Sequence, residues 1–221
     1  MRLGVLGDIH AEHERLEIAL GFFVRERVDQ VLFVGDVVDG AGDPSACFAM
    51  LDDAKALGVR GNHERWLAAG SMRTLPGAHT SEQLDERALR LLRDLPATRS
   101  FDTPRGRLLL CHGVGDDDMQ RLRPDDDDYS LRWNDPLQAL LREGAYAFMV
   151  GGHTHERMVR SFEDLVVVNA GTLARERDDA GIVILDFQAG EATFHTFAGD
   201  ALVLADVCPL RPKGTGIGLS G

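Results

Sequence analysis

Short apolar runs alternate along this chain with longer stretches in which apolar residues recur every three or four positions. Leu3 to Leu6 reads as a strand. It is followed from about Glu12 to Arg27 by an amphipathic helix with Leu16, Ala19, Leu20 and Phe23 on one face. Val31 to Val34 is a second strand, and Ser45 is the expected N-cap of a helix through about Leu57. Val59 and Arg60 form a short strand, and Glu64 to Ala69 a helical turn. The stripe Leu84, Ala88, Leu91, Leu92, Leu95 predicts a helix over Ser81 to Leu95, ended by Pro96.

The second half has a different rhythm. Thr98 to Asp102 and Arg107 to Leu110 read as strands across a Pro104–Gly106 turn, and Pro136 to Arg142 as a helix. Ala147 to Val150, Arg157 to Ser161, Leu165 to Val168, Ile182 to Phe187 and Ala192 to Phe197 follow as strands. The last few have connections too short for a crossover helix and are expected to be antiparallel. From Asp206 the Gly- and Pro-containing segment shows no pattern, so residues 206–221 are expected to be a mobile tail behind a single domain, 1–205. There is no internal repeat. Strand–helix units followed by a strand-rich half predict two mixed sheets packed together with helices outside.

Composition narrows the possibilities. With 44% hydrophobic residues, the 221-residue chain has the means for a sizeable core. No apolar run approaches the roughly 18–20 residues that span a bilayer. The chain opens almost at once on a strand, so no signal peptide is expected. Cys47, Cys111 and Cys208 are scattered and odd in number. That is no disulfide framework and fits a reducing cytoplasm. The net charge of −12 argues against sequence-independent binding of nucleic acid, which needs Lys and Arg on phosphates. It leaves phosphate substrates open, because bound cations reverse the local field. Asp116 to Asp118 and Asp125 to Asp128 lack the alternating ligands, central Gly and terminal Glu of a calcium loop, and read as a solvated acidic loop.

Five apolar segments end on a glycine beside metal-ligand residues. They are Gly7-Asp8-Ile9-His10, Gly35-Asp36-Val37-Val38-Asp39-Gly40, Gly61-Asn62-His63-Glu64, Cys111-His112-Gly113 and Gly151-Gly152-His153-Thr154-His155. In open α/β sheets the crevice beyond the carboxyl ends of the strands holds the ligand. Five such ends would bring carboxylate, amide and imidazole donors to one edge, a set suited to two divalent ions. Asp8 and His10, like His153 and His155, share a spacing of two that puts both on one face. Asp36 has two oxygens with which to bridge. Cys111 reads as a small packed hydrophobe, and His13, His79 and His195 as structural. Arg65, Arg157 and Arg175 are expected at the surface, though near enough to the motifs to reach phosphate.

In order and ligand type these motifs resemble the calcineurin-like metallophosphoesterase superfamily, from residue 3 to about 190, in particular its small bacterial and archaeal phosphodiesterases. The resemblance implies a four-layer α/β/β/α sandwich of two mixed β-sheets with a dinuclear metal site at the strand ends. It places Asp8, His10, Asp36 and His155 on one metal, and Asp36, Asn62, His112 and His153 on the other. Manganese is the foremost expectation, with iron, cobalt, nickel or zinc also suited. The reaction implied is hydrolysis of a phosphodiester or nucleotide by a metal-bridging hydroxide, with His63 over the phosphate as general acid or charge stabiliser and Asn62 also facing the substrate. Asp39 and Glu64 are expected to orient a ligand imidazole or the His63 ring, with a favourable charge at a helix N-terminus as the other role for Glu64. Asn169-Ala170-Gly171-Thr172 resembles a turn that closes near the site. Protein Ser/Thr phosphatases and diadenosine-polyphosphate hydrolases share the early motifs, although Gly40 stands where the former usually carry Arg. A catalytically silent scaffold on the same fold is the alternative from another class. Such a scaffold should show eroded ligands or a replaced His63, and here none is lost.

Overall fold

The computed structural model describes residues 1–211. Its first sheet begins with β1 (Arg2–Leu6), β2 (Gln30–Phe33) and β3 (Leu57–Gly58), all parallel. α1 (His13–Arg25) and α2 (Pro44–Asp53) connect them. On the other side of β1 the sheet continues antiparallel through β9 (Gly181–Asp186), β10 (Glu191–Ala198) and β11 (Ala201–Pro209), in the order β11-β10-β9-β1-β2-β3. The second sheet has the order β4-β5-β6-β8-β7. Its strands are β4 (Arg99–Thr103), β5 (Gly106–Leu110), β6 (Phe148–Gly151), β7 (Met158–Phe162) and β8 (Leu165–Asn169). β5, β6 and β8 are parallel, and β4 and β7 are antiparallel edges.

Alternation along the strands sorts the core into three layers. Leu3, Val5, Leu32 and Val34 face Leu108, Leu110, Phe148, Val150, Val166 and Val168 between the sheets. Leu6, Val31, Phe33, Ile182 and Ile184 point outward, where they meet Leu16, Ala19 and Phe23 of α1, Phe48 and Leu51 of α2, and Ala88 and Leu92 of α4 (Glu86–Asp94). Each large side chain buried here contributes about 1.5–3 kcal/mol. On the far face Leu109, Met149 and Val167 pack on Leu137 of α6 (Asp135–Glu143). The result is the expected α/β/β/α sandwich.

Local chemistry moved several boundaries. α2 is capped by Asp43, whose carboxylate accepts from the Ala46 amide, and Pro44 fills its first turn. The expected cap Ser45 instead accepts from the Asp85 amide at 2.9 Å and ties α2 to α4. The helix expected over Ser81 to Leu95 is two pieces. A 3₁₀ turn covers Ser81–Gln83, Leu84 is extended, and Asp85 starts α4 by capping Ala88. The chain around GNHE folds as α3 (Asn62–Ala68). The acidic loop holds a short helix, α5 (Asp128–Arg132), capped by Asp127. Some of its other carboxylates are engaged as well: Asp117 accepts from the Met119 and Gln120 amides, and Asp126 from the Arg123 amide. The tail expected from Asp206 does not begin there. Asp206 to Pro209 finish β11, with Pro209 opposite Glu191, and Leu210 is buried. The remainder of that segment, 212–221, lies outside the described residues. Among the described residues no helix is long and apolar enough to cross a membrane.

Candidate metal centre

The carboxyl ends of β1, β2, β3, β5 and β6 open on one edge, and backbone bonds lock their loops together. The Ile9 and His10 amides donate to Asp36 O, and the Gly152 amide to His112 O. Thr172 Oγ1 donates to Asp8 O, and Asn169 Nδ2 to Gly152 O. The Asn169–Thr172 turn therefore does close on the site. Five side chains that reach it sit on left-handed backbone: His10 (φ 49°), Asp36 (47°), Asp39 (64°), His153 (66°) and His155 (60°). For residues with a Cβ that conformation costs of order 1–3 kcal/mol and persists only where the surroundings enforce it. Gly152 must be glycine for another reason. A Cβ there would lie 2.6 Å from Val34 Cγ2 and 2.8 Å from Asp8 Oδ2.

The side chains form two adjoining clusters. Asp8, His10 and His155 make one, and Asp36, His112 and His153 the other, each with ligand atoms within 4.8 Å of one another. Asn62 Oδ1 joins the second, 2.9 Å from His112 Nε2 and 3.0 Å from His153 Nδ1. A further group, His10, Asp36 and His63, overlaps both. Asp8, Asp36, Asn62 and His112 are almost wholly buried.

The hydrogen bonding around these donors fits cations. His10 Nδ1 lies 2.8 Å from Asp39 O, and His112 Nδ1 lies 2.8 Å from Val34 O. A carbonyl can only accept, so each Nδ1 carries a proton, and Nε2 is the nitrogen left for a cation to take in place of its own proton. The Nε2 atoms of His10 and His155 then face each other at 3.1 Å. His153 Nε2 is buried with no hydrogen-bond partner. Burial alone would lower the His112 pKa. Asp36, with Oδ2 3.2 Å from Nε2, and Asp8 outweigh it and push the value up to about 10. Asp36 shows the converse: burial opposes its charge, and His112, His10 and His63 hold it far below the usual carboxylate range. The same carboxylate field that holds these protons suits divalent ions, which would bind in their place.

His63 stands apart from both clusters. Its Nδ1 is 2.7 Å from Asp39 Oδ2, its Nε2 is 3.9 Å from Asp36 Oδ2, and its amide donates to Asp36 Oδ1. Burial lowers its pKa, but the carboxylates of Asp39 and Asp36 more than compensate and raise it. Asp39 therefore contacts the His63 ring through Nδ1. Glu64 takes a different place. Its carboxylate accepts from the amides of Asp36, Val37, Val38 and Gly61, so it braces the loop after β2 and the start of its own helix and orients no imidazole.

A cavity of about 510 Å³ opens over His10, Asp36, Asn62, His63, His153 and His155, walled by Trp66, Leu75, Pro76, Met119, Arg121 and Arg177. Trp66 packs on the His63 ring with centroids 4.8 Å apart. Sequence reasoning passed over Trp66 and Arg121, and nothing local in the sequence marks either. Arg65 is half-exposed and forks onto Asp118, and Arg175 reaches Glu12 at the surface. Arg157 departs from the surface position expected for it. It is half-buried, donating to Thr196 Oγ1 and His195 O.

Residues 1–190 match the family model for the calcineurin-like phosphoesterase superfamily domain. The chain belongs to that superfamily. No curated protein matches it significantly. Among solved structures, this superfamily member is similar to a metallophosphoesterase from Sphaerobacter thermophilus, with 21% identity, TM-score 0.66 and coverage of 89% of this chain and 87% of that one. An archaeal phosphodiesterase is 18% identical, with TM-score 0.59 and coverage of 93% and 100%. Yfce, a phosphoesterase from E. coli, is 17% identical, with TM-score 0.59 and coverage of 96% and 100%. At such identities the likeness concerns the fold. Within it, the paired clusters are consistent with a dinuclear metal-dependent hydrolase of the superfamily.

Proposed function

We propose that this protein hydrolyses a small phosphodiester or nucleotide with two divalent ions. Asp8, His10, Asp36 and His155 hold one ion, and Asp36, Asn62, His112 and His153 the other. The observation that carries the reading is the pair of adjoining clusters, linked through the group His10, Asp36 and His63, with Nδ1 of His10 and His112 committed to backbone carbonyls. Carboxylate, amide and imidazole donors without thiolate suit manganese first, and iron, cobalt, nickel or zinc as well. Bound there, the ions supply Lewis acidity that lowers the pKa of water and offsets charge on the phosphoryl oxygens.

The chain's own residues do the rest. His63 presents Nε2 to the cavity while Asp39 holds Nδ1, so it delivers a proton to the leaving oxygen. Asn62 would hold one ion and also contact the substrate. The cavity is large enough for a phosphoester that carries a substituent on each side of the phosphorus. A silent scaffold would have no need of a complete donor set.

The test is elemental analysis together with hydrolysis of bis-p-nitrophenyl phosphate by protein loaded with manganese, nickel, cobalt or iron. About two metal equivalents and turnover that EDTA abolishes are expected. A folded protein without metal-dependent turnover on diesters, monoesters or nucleotides overturns the reading.

A further inference from the structure

Asp39 is buried, and a buried carboxylate needs compensating charge. Burial acts against its ionised form, yet hydrogen bonds from His63 and Arg73 and the charge of Arg73 bring its pKa down to about 2. The residue after it cannot supply that charge, because a Cβ at Gly40 would collide with the His10 carbonyl oxygen. The charge comes instead from the loop between α3 and the 3₁₀ turn. Arg73 Nη1 donates to Asp39 Oδ1 at 2.9 Å and Nη2 to Oδ2 at 3.0 Å, a two-pronged pairing. His79 completes the clasp: its amide donates to Asp39 Oδ1, and its Nδ1 accepts from the Asp39 amide. Burial holds the His79 pKa down. Arg73 is therefore the one permanent cation paired with Asp39 among the described residues.

We propose that Arg73 is a positioning residue for His63: its guanidinium locks the Asp39 carboxylate in the orientation that fixes the His63 ring toward the cavity. The donor count separates this role from phosphate binding. Arg73 Nε donates to Ser71 O, Nη1 to both Asp39 and His79 O, and Nη2 to Asp39. Four of about five guanidinium N–H groups are thus committed within the protein. Arg73 is also absent from the cavity lining. What it controls lies one carboxylate away, where Asp39 Oδ2 meets His63 Nδ1 at 2.7 Å.

The catalytic part of this inference rests on the proposed hydrolase reading, so two independent readouts test it. The first is the proton on His63 Nδ1. Held against a carboxylate, it should give a downfield, slowly exchanging NMR line in the protein with or without metal, identified by its loss in His63→Gln. In Arg73→Met, which keeps the aliphatic stem, the line should broaden into exchange or vanish, and Arg73→Lys should restore it in part. The second readout is kinetic. Arg73→Met should lower kcat for poor leaving groups about 10- to 100-fold, a share of the ~10²–10⁴-fold that a positioned proton donor supplies. KM should stay within about threefold, good leaving groups should suffer less, and added guanidinium should recover part of the loss. With Asp39→Ala already present, Arg73→Met should cost no more than about twofold further. A missing His63 line in the unsubstituted protein, or an unchanged line in Arg73→Met, overturns the positioning role. So does a loss that appears in KM alone, or one that adds fully to Asp39→Ala. If the unsubstituted protein turns over nothing while the line still depends on Arg73, the hydrolase reading falls and the positioning role stands.

Discussion

Replacing Glu64 should damage this protein far more than a polar residue beside a helix terminus ordinarily would. The side chain is 1% exposed, and its two oxygens accept four backbone amides. Asp36 N and Gly61 N lie at 2.8 and 2.7 Å from Oε2, and Val37 N and Val38 N at 2.7 and 3.1 Å from Oε1. Burial and the nearby Asp36 charge push its pKa upward, against the Gly61 and Val38 amides and the His112 charge. A buried donor left without a partner costs about 1–3 kcal/mol. Glu64→Ala strands all four, and water entering the vacated space recovers some, which leaves about 3–5 kcal/mol. Glu64→Gln is the sharper test because its shape is unchanged. One oxygen still serves two amides, while the new NH₂ faces the other two, so about 2–4 kcal/mol is lost. For a chain of this size that corresponds to a fall in Tm of roughly 4–16 °C. Urea titration in EDTA measures it without metal linkage. If Glu64→Gln stays within about 0.5 kcal/mol of the parent, the four-amide account is wrong.

Gly152→Ala should lower metal content to one equivalent or less while keeping most of the secondary structure. Its methyl would press on Val34 and Asp8, both at the site, and elemental analysis beside circular dichroism checks it. The pH dependence of the metal-free protein follows from His112. Its folded pKa lies above the ordinary value of 6.5, at about 10. The protonated ring therefore stabilises the fold fully below about pH 6.5 and loses that contribution as pH rises toward 10. Tm in EDTA should decline across that window, and manganese, which needs the neutral ring, should flatten the decline. A metal-free Tm that is flat or rising there contradicts the assignment.

The parts of this site that were legible in the sequence share one property: their information is local. Each motif couples a glycine to a ligand residue at the end of an apolar run, and a strand end needs only its own few residues to be recognised. Asp8, Asp36 and His112 could be assigned to one edge without knowing how the sheets pair. Features that depend on distant partners were not legible. Asp43 and Ser45 compete as caps for α2, and the contest is settled by Asp85, some forty residues on, which takes the Ser45 hydroxyl. β11 eluded the pattern because it is exposed along nearly its whole length, Val203, Leu204 and Val207 included, and its register against β10 breaks between Phe194 and His195. A strand without a buried face has nothing to impose alternation on its sequence. The same limit explains why Asp39 was recognisable as a partner for His63 while Arg73 was not. Asp39 sits inside a motif, whereas Arg73 lies in a loop without periodicity, and only the folded chain brings its guanidinium to that carboxylate. In this protein the candidate ligand residues belong to short motifs. The groups that hold those ligands and His63 in working orientation are drawn from wherever the packing brings a charge or an amide within reach. A loop substitution far from any motif can therefore disable the site without touching a ligand.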